Sequence, residues 1–158
     1  MTSKTLSILL RAAAVAVALS GLAICALFLP PLVADTAGEA YGLSAGWCWL
    51  IFLWVSALPC FVILVYIWMT SSAVGAEEVF TLRVARWVRN SALLLFIDVG
   101  FFFLGNIVLW LIGWNHPSVL IASLLICVLG DALAAAAAAL SRYITKAAAL
   151  QEEVDGTI

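Results

Sequence analysis

Residues 83–113 read RVARWVRNSALLLFIDVGFFFLGNIVLWLIG, and this stretch decides the architecture. Arg83, Arg86 and Arg89 precede an apolar run from Ser91 to Gly113 whose one charged side chain is Asp98. About 20 apolar residues in a helix cross ~30 Å of hydrocarbon, so the run is long enough to span a bilayer. A helix satisfies its own backbone hydrogen bonds, which makes it the form such a run takes where water is absent.

Outward from this span, three more stretches qualify. They cover residues 11–29, 46–69 and 117–140, and the Pro30-Pro31 pair predicts a stop to the first. Residues 70–90 link the second span to the third, and residues 141–158 form a helix-compatible extension with an acidic tail. Of the 158 residues, 66% are hydrophobic and 10% are charged. Soluble domains carry about a quarter charged residues, so the composition belongs to the membrane class. The net charge of −2 gives no basis for direct nucleic-acid binding.

Orientation follows from the cations. Lys4 and Arg11 fall at the start of the first span, Arg83, Arg86 and Arg89 between the second and third, and Arg142 and Lys146 after the fourth. All seven basic side chains thus collect on one side, which the positive-inside rule makes cytoplasmic. Trp47, Trp49, Trp110 and Trp114 fall at the outer boundary, and Trp68 and Trp87 at the inner one. The expected fold is an all-α integral membrane protein, a four-helix transmembrane bundle with both termini inside. The first span's apolar run is longer than a cleaved signal peptide needs, so it is read as retained.

Candidate chemistry is sparse. Asp98 and Asp131 lie within the third and fourth spans at similar depth, and each costs about 2.5–3.5 kcal/mol to insert. A structural hydrogen bond, or pairing with a cation such as Arg11, is favoured over function for both. Two membrane aspartates also suggest intramembrane proteolysis, but Ile97-Asp98 and Gly130-Asp131 lack the aromatic and the first glycine of that pattern. Asn106 puts an amide into the outer half of the third span. His116, the one histidine, precedes Pro117 in what reads as a helix start, not a haem or metal ligand. Cys25, Cys48, Cys60 and Cys127 have no CxxC spacing and read as packing residues. No cofactor, metal or catalytic residue is expected, and the chain reads as a non-enzyme.

The runs Ala12 to Ala18 and Ala134 to Ala139 predict close packing of the first span on the fourth, or a homo-oligomer. In the linker, Phe80, Val84, Trp87 and Val88 share one helical face, with Thr81 as N-cap. That pattern predicts a cytoplasmic interfacial helix between spans 2 and 3, its arginines on anionic headgroups, with arginines that only set topology as an equal alternative. Glu152, Glu153 and Asp155 make the tail an exposed acidic segment; such a tail is usually just solvated, and the alternative is a protein-docking peptide.

Several of these stretches resemble a bacterial four-span family described only as a domain of unknown function. They are Val79-Phe80-Thr81-Leu82-Arg83, Phe101-Phe102-Phe103-Leu104-Gly105-Asn106, Asn115-His116-Pro117 and Lys146-Ala147-Ala148-Ala149-Leu150-Gln151-Glu152-Glu153. Members commonly end in Glu-Asn-Asp-Leu-Thr-Ile, where this chain has Val154 in place of Asn and Gly156 in place of Leu. Genes of that family often lie beside a Cro/C1-type helix-turn-helix regulator. The resemblance implies a protein of the bacterial cytoplasmic membrane that partners such a regulator, and it implies no activity. The alternative is a small proton- or solute-coupled transporter using Asp98 and Asp131.

Overall fold

The structure is a computed structural model and describes residues 2–76 and 78–155. Four long helices account for nearly all of it: α1 (Ser3–Tyr41), α2 (Leu43–Gly75), α3 (Leu82–Leu111) and α4 (Pro117–Asp155). All four are long and apolar enough to cross a membrane. Large apolar side chains such as Leu19, Leu27, Leu58, Leu104, Leu125 and Leu133 stand on the outside along their length. A surface of this kind is stable where the surrounding solvent is itself hydrocarbon. The chain is a multi-pass membrane protein.

Helix α1 departs from the expected span. It does not stop at Pro30-Pro31 but continues to Tyr41. Proline lacks the N–H that an interior helical position would donate, and its ring crowds the preceding turn. The helix accommodates this by widening. Ile24–Phe28 is a π-turn in which the Leu29 N–H reaches Ile24 O, and the prolines enter at the first positions of the next α-helical segment. There a missing N–H leaves little unbonded. A second π-turn, Ala34–Gly38, follows. Widening also frees carbonyls, and Trp54 Nε1 of α2 donates to Cys25 O at 3.0 Å. Gly42, with φ 94°, then turns the chain into α2, and Gly46 of α2 packs on the backbone of Gly38.

Packing follows chain order: α1 on α2, α2 on α3 and α3 on α4, with the first and last of these pairs more extensive than the middle one. The expected pairing of the first and fourth spans is not formed. Their alanine faces remain open, with Ala12, Ala13, Ala16, Ala135, Ala136 and Ala139 exposed. The α3–α4 turn is built by Gly113 at φ 79°: its N–H bonds Trp110 O and the Trp114 N–H bonds Leu109 O. This is the glycine-terminated helix end that satisfies the last carbonyls. Pro117 opens α4, and His116 Nδ1 accepts from the Ser118 N–H at 3.2 Å.

The separate interfacial helix is also not formed as such. Thr81 caps α3 as read, accepting from the Val84 N–H at 3.4 Å, but the helix then runs unbroken to Leu111.

Candidate functional site

The starts of α1 and α3 and the ends of α2 and α4 meet at one end, where the basic residues collect. Here Ser7 and Ser71 bond reciprocally, Ser7 Oγ donating to Ser71 O at 2.7 Å and Ser71 Oγ to Ser7 O at 2.8 Å. The apolar face of residues 80–88 is occupied by protein. Val84 and Ala85 form a buried cluster with Ile144 of α4, flanked by Ala73, Trp87 and Val88, and only Phe80 of the predicted face stays outside. Ser141 Oγ donates to Ala85 O at 2.8 Å and locks the crossing. The cause is length: α4 runs on through Arg142 and Lys146, beyond its apolar stretch, and so lies beside the first turns of α3.

Arg83, Arg86 and Arg89 flank this packed face and are exposed. Among the described residues none of the three has a carboxylate partner. Arg86 and Arg89, with Ser141 and Thr145, line a cleft of about 460 Å³ between α3 and α4. Arg83 and Arg86 also border a second cleft of about 690 Å³ with Glu78 and Trp87. Two guanidiniums at one cleft suit an anionic group, whether carboxylate or phosphate, while the Ser141 and Thr145 hydroxyls are spent on Ala85 O and Ser141 O. Of the predicted acidic contacts, Glu153 is exposed at the end of α4, while the side chains of Glu152 and Asp155 lie outside the described residues.

The two membrane aspartates are not joined. Asp98 is half-buried between α2 and α3, where Ser56 Oγ donates to its Oδ1 at 3.1 Å and Cys60 Sγ to its Oδ2 at 3.8 Å. Asp131 is on the exposed side of α4 and, among the described residues, makes no hydrogen bond. Arg11 pairs with neither. Its guanidinium lies 5.4 Å from the centre of the Trp68 ring, a cation–π contact, with Nε buried and unpartnered.

Asn106 is fully buried and has a structural part. Its Nδ2 donates to Phe102 O at 2.9 Å, and Asn115 Nδ2 donates to both Asn106 O and Asn106 Oδ1 at 3.2 Å. Trp49 Nε1 donates to Trp114 O at 2.7 Å and holds the same turn against α2. Neither Asn115 nor Trp49 was singled out as a polar anchor from the sequence. The signal for Asn115 was Asn106 itself: an amide inside an apolar span requires partners at its own depth. Asn106→Leu is expected to lose about 1–3 kcal/mol of stability by leaving a buried donor unpaired. Thermal melts in detergent of this variant, Asn115→Ala and the double variant test it; strictly additive losses contradict the bond.

One comparison bears on this arrangement. The family described as protein of unknown function DUF2975 matches residues 31–158. The chain belongs to that family. The match takes in part of α1, the whole of α2, α3 and α4, and every residue of the Arg-lined clefts. No curated protein and no solved structure matches the chain.

Proposed function

We propose that this DUF2975 protein is a non-enzymatic regulatory membrane protein whose basic end faces the cytoplasm and engages a soluble partner there. The partner class is the helix-turn-helix regulator implied by the resemblance of its sequence. One observation carries the reading: the end of α4 packs on the Arg-bearing first turns of α3 through Val84, Ala85 and Ile144. A firm surface outside the lipid, with Arg83, Arg86 and Arg89 on one side and the acidic end of α4 on the other, suits protein docking. A membrane protein that needed its arginines only to set topology would not need a packed core beneath them.

Orientation and docking are tested separately. Reporter fusions at residue 78 and at the C-terminus are expected to report the cytoplasm. A Cro/C1-type helix-turn-helix regulator of the kind the resemblance implies is expected to co-purify with the full chain in mild detergent. Recovery is expected to fall to background when residues 141–158 are removed, and to drop with Arg86→Glu/Arg89→Glu. Equal recovery with the full and the shortened chain removes the basis of the proposal.

The carrier reading gains no comparable support. It needs Asp98 and Asp131 on a shared path, and Asp98 is bonded to α2 while Asp131 is exposed on α4.

A further inference from the structure

At the end opposite the basic residues, a cavity of about 350 Å³ opens between α1, α2 and the α3–α4 turn. Its volume falls within the range of small-molecule sites. The walls are largely apolar, with Leu32, Val33 and Ala37 from α1 and Leu53 from α2. Part of the α1 wall is the π-turn Ala34–Gly38, an irregularity found often at functional sites. Trp49 and Trp114 also line it; the Trp49 indole N–H is spent on the main-chain O of Trp114, and the Trp114 indole N–H makes no hydrogen bond among the described residues.

Asn115 differs. It is 6% exposed and lines the cavity. Both groups facing its amide nitrogen are acceptors, Asn106 O and Asn106 Oδ1. The bonding therefore assigns nitrogen and oxygen unambiguously, and Oδ1 is the atom turned away from Asn106. That oxygen is buried and has no partner. A buried acceptor left unbonded is costly, and native structures rarely tolerate one without a reason. The Tyr41 hydroxyl, also without a hydrogen bond among the described residues, belongs to a side chain lining the same cavity.

We infer that this cavity binds a lipid-soluble molecule with an apolar body and a hydroxyl or N–H head, a turn of the Asn115 amide bringing its closed-off Oδ1 to the cavity to accept from the head. The apolar walls select the body, and the unspent acceptor selects a donor over a bare hydrocarbon or an ether. Entry is from the membrane, because the cavity lies at the level of Trp49 and Trp114, where amphipathic molecules place their polar ends. The inference is independent of the partner proposed for the basic end.

The test uses the full chain in vesicles of phosphatidylcholine and phosphatidylglycerol. The probe is dodecan-1-ol carrying a mid-chain diazirine, compared with its methyl ether at equal membrane concentration. After irradiation, adducts are mapped by mass spectrometry. The alcohol is expected to label peptides covering residues 32–41 and 114–119 above the rest of the chain. The ether is expected to label them roughly three- to tenfold less, the range one neutral hydrogen bond supplies. Thr36→Trp, which fills the cavity, is expected to remove the preference while leaving the tryptic pattern of the protein unchanged. Equal labelling of those peptides by alcohol and ether in the unmodified chain overturns the inference. So does label spread evenly over the lipid-facing surface.

Discussion

Replacing Val84 by Asp is expected to release the end of α4 from α3, with trypsin cleaving after Arg142 and Lys146 far faster than in the native chain. Val84 is 1% exposed and packs with Ala85 and Ile144, so the new carboxylate would be buried without a cation opposite it. An uncompensated buried charge costs on the order of 3–5 kcal/mol. The spans themselves are held by lipid, so the loss falls on the local contact and opens it. At about 1.4 kcal/mol per factor of ten, cleavage through the open form should rise roughly 10²- to 10³-fold. Leu82→Asp is the control, because it adds the same charge at a position 48% exposed. If both variants are cleaved at the same rate, the cluster does not hold α4. The same Val84→Asp chain is expected to lose the co-purifying regulator, since the composite face no longer exists.

This contact also marks where reading from sequence reached its limit. Periodicity located the apolar face of residues 80–88 and the Thr81 cap, and both are present. A period of 3.6 states that a face will be covered and is silent on whether lipid or a helix covers it. The answer lay in the length of α4, whose charged extension has to pack somewhere. Pro30-Pro31 misled for a different reason. The stop rule assumes i→i−4 bonding, and a π-turn placed just before the prolines changes that register so that the helix survives. Asp98 and Asp131 share a depth, but depth leaves rotation about the helix axis undetermined. Each residue turns a helix by about 100°, and only packing decides that Asp98 meets Ser56 and Cys60 while Asp131 points outward. The four spans were readable because hydropathy over 20 residues does not depend on neighbours.

Ser71→Leu is expected to destabilise the α1–α2 pair by about 2–4 kcal/mol, and comparison with Ser71→Ala separates two causes. Ser71 is fully buried, bonded to Ser7 in both directions, and one turn from Gly75, where an added Cβ would lie 2.9 Å from Ser7 Oγ. The two backbones therefore approach closely, and the small side chains permit it. Hydrogen bonds between membrane helices average about 0.6 kcal/mol and reach about 1.7, because the separated helices find other partners. Losing the Ser71 hydroxyl in Ser71→Ala should cost no more than that. Forcing a leucine into the same gap adds an overpacking penalty of about 1–3 kcal/mol, and this larger effect decides the outcome. Unfolding in a graded series of sodium dodecyl sulfate, followed by the fluorescence of Trp54 and Trp68, measures both. If Ser71→Ala is as damaging as Ser71→Leu, the hydroxyls and not the close approach hold α1 in place. In that case, opening the gap with Ser7→Ala/Ser71→Ala would separate the helices at the basic end. If the close approach dominates, that double variant keeps them together.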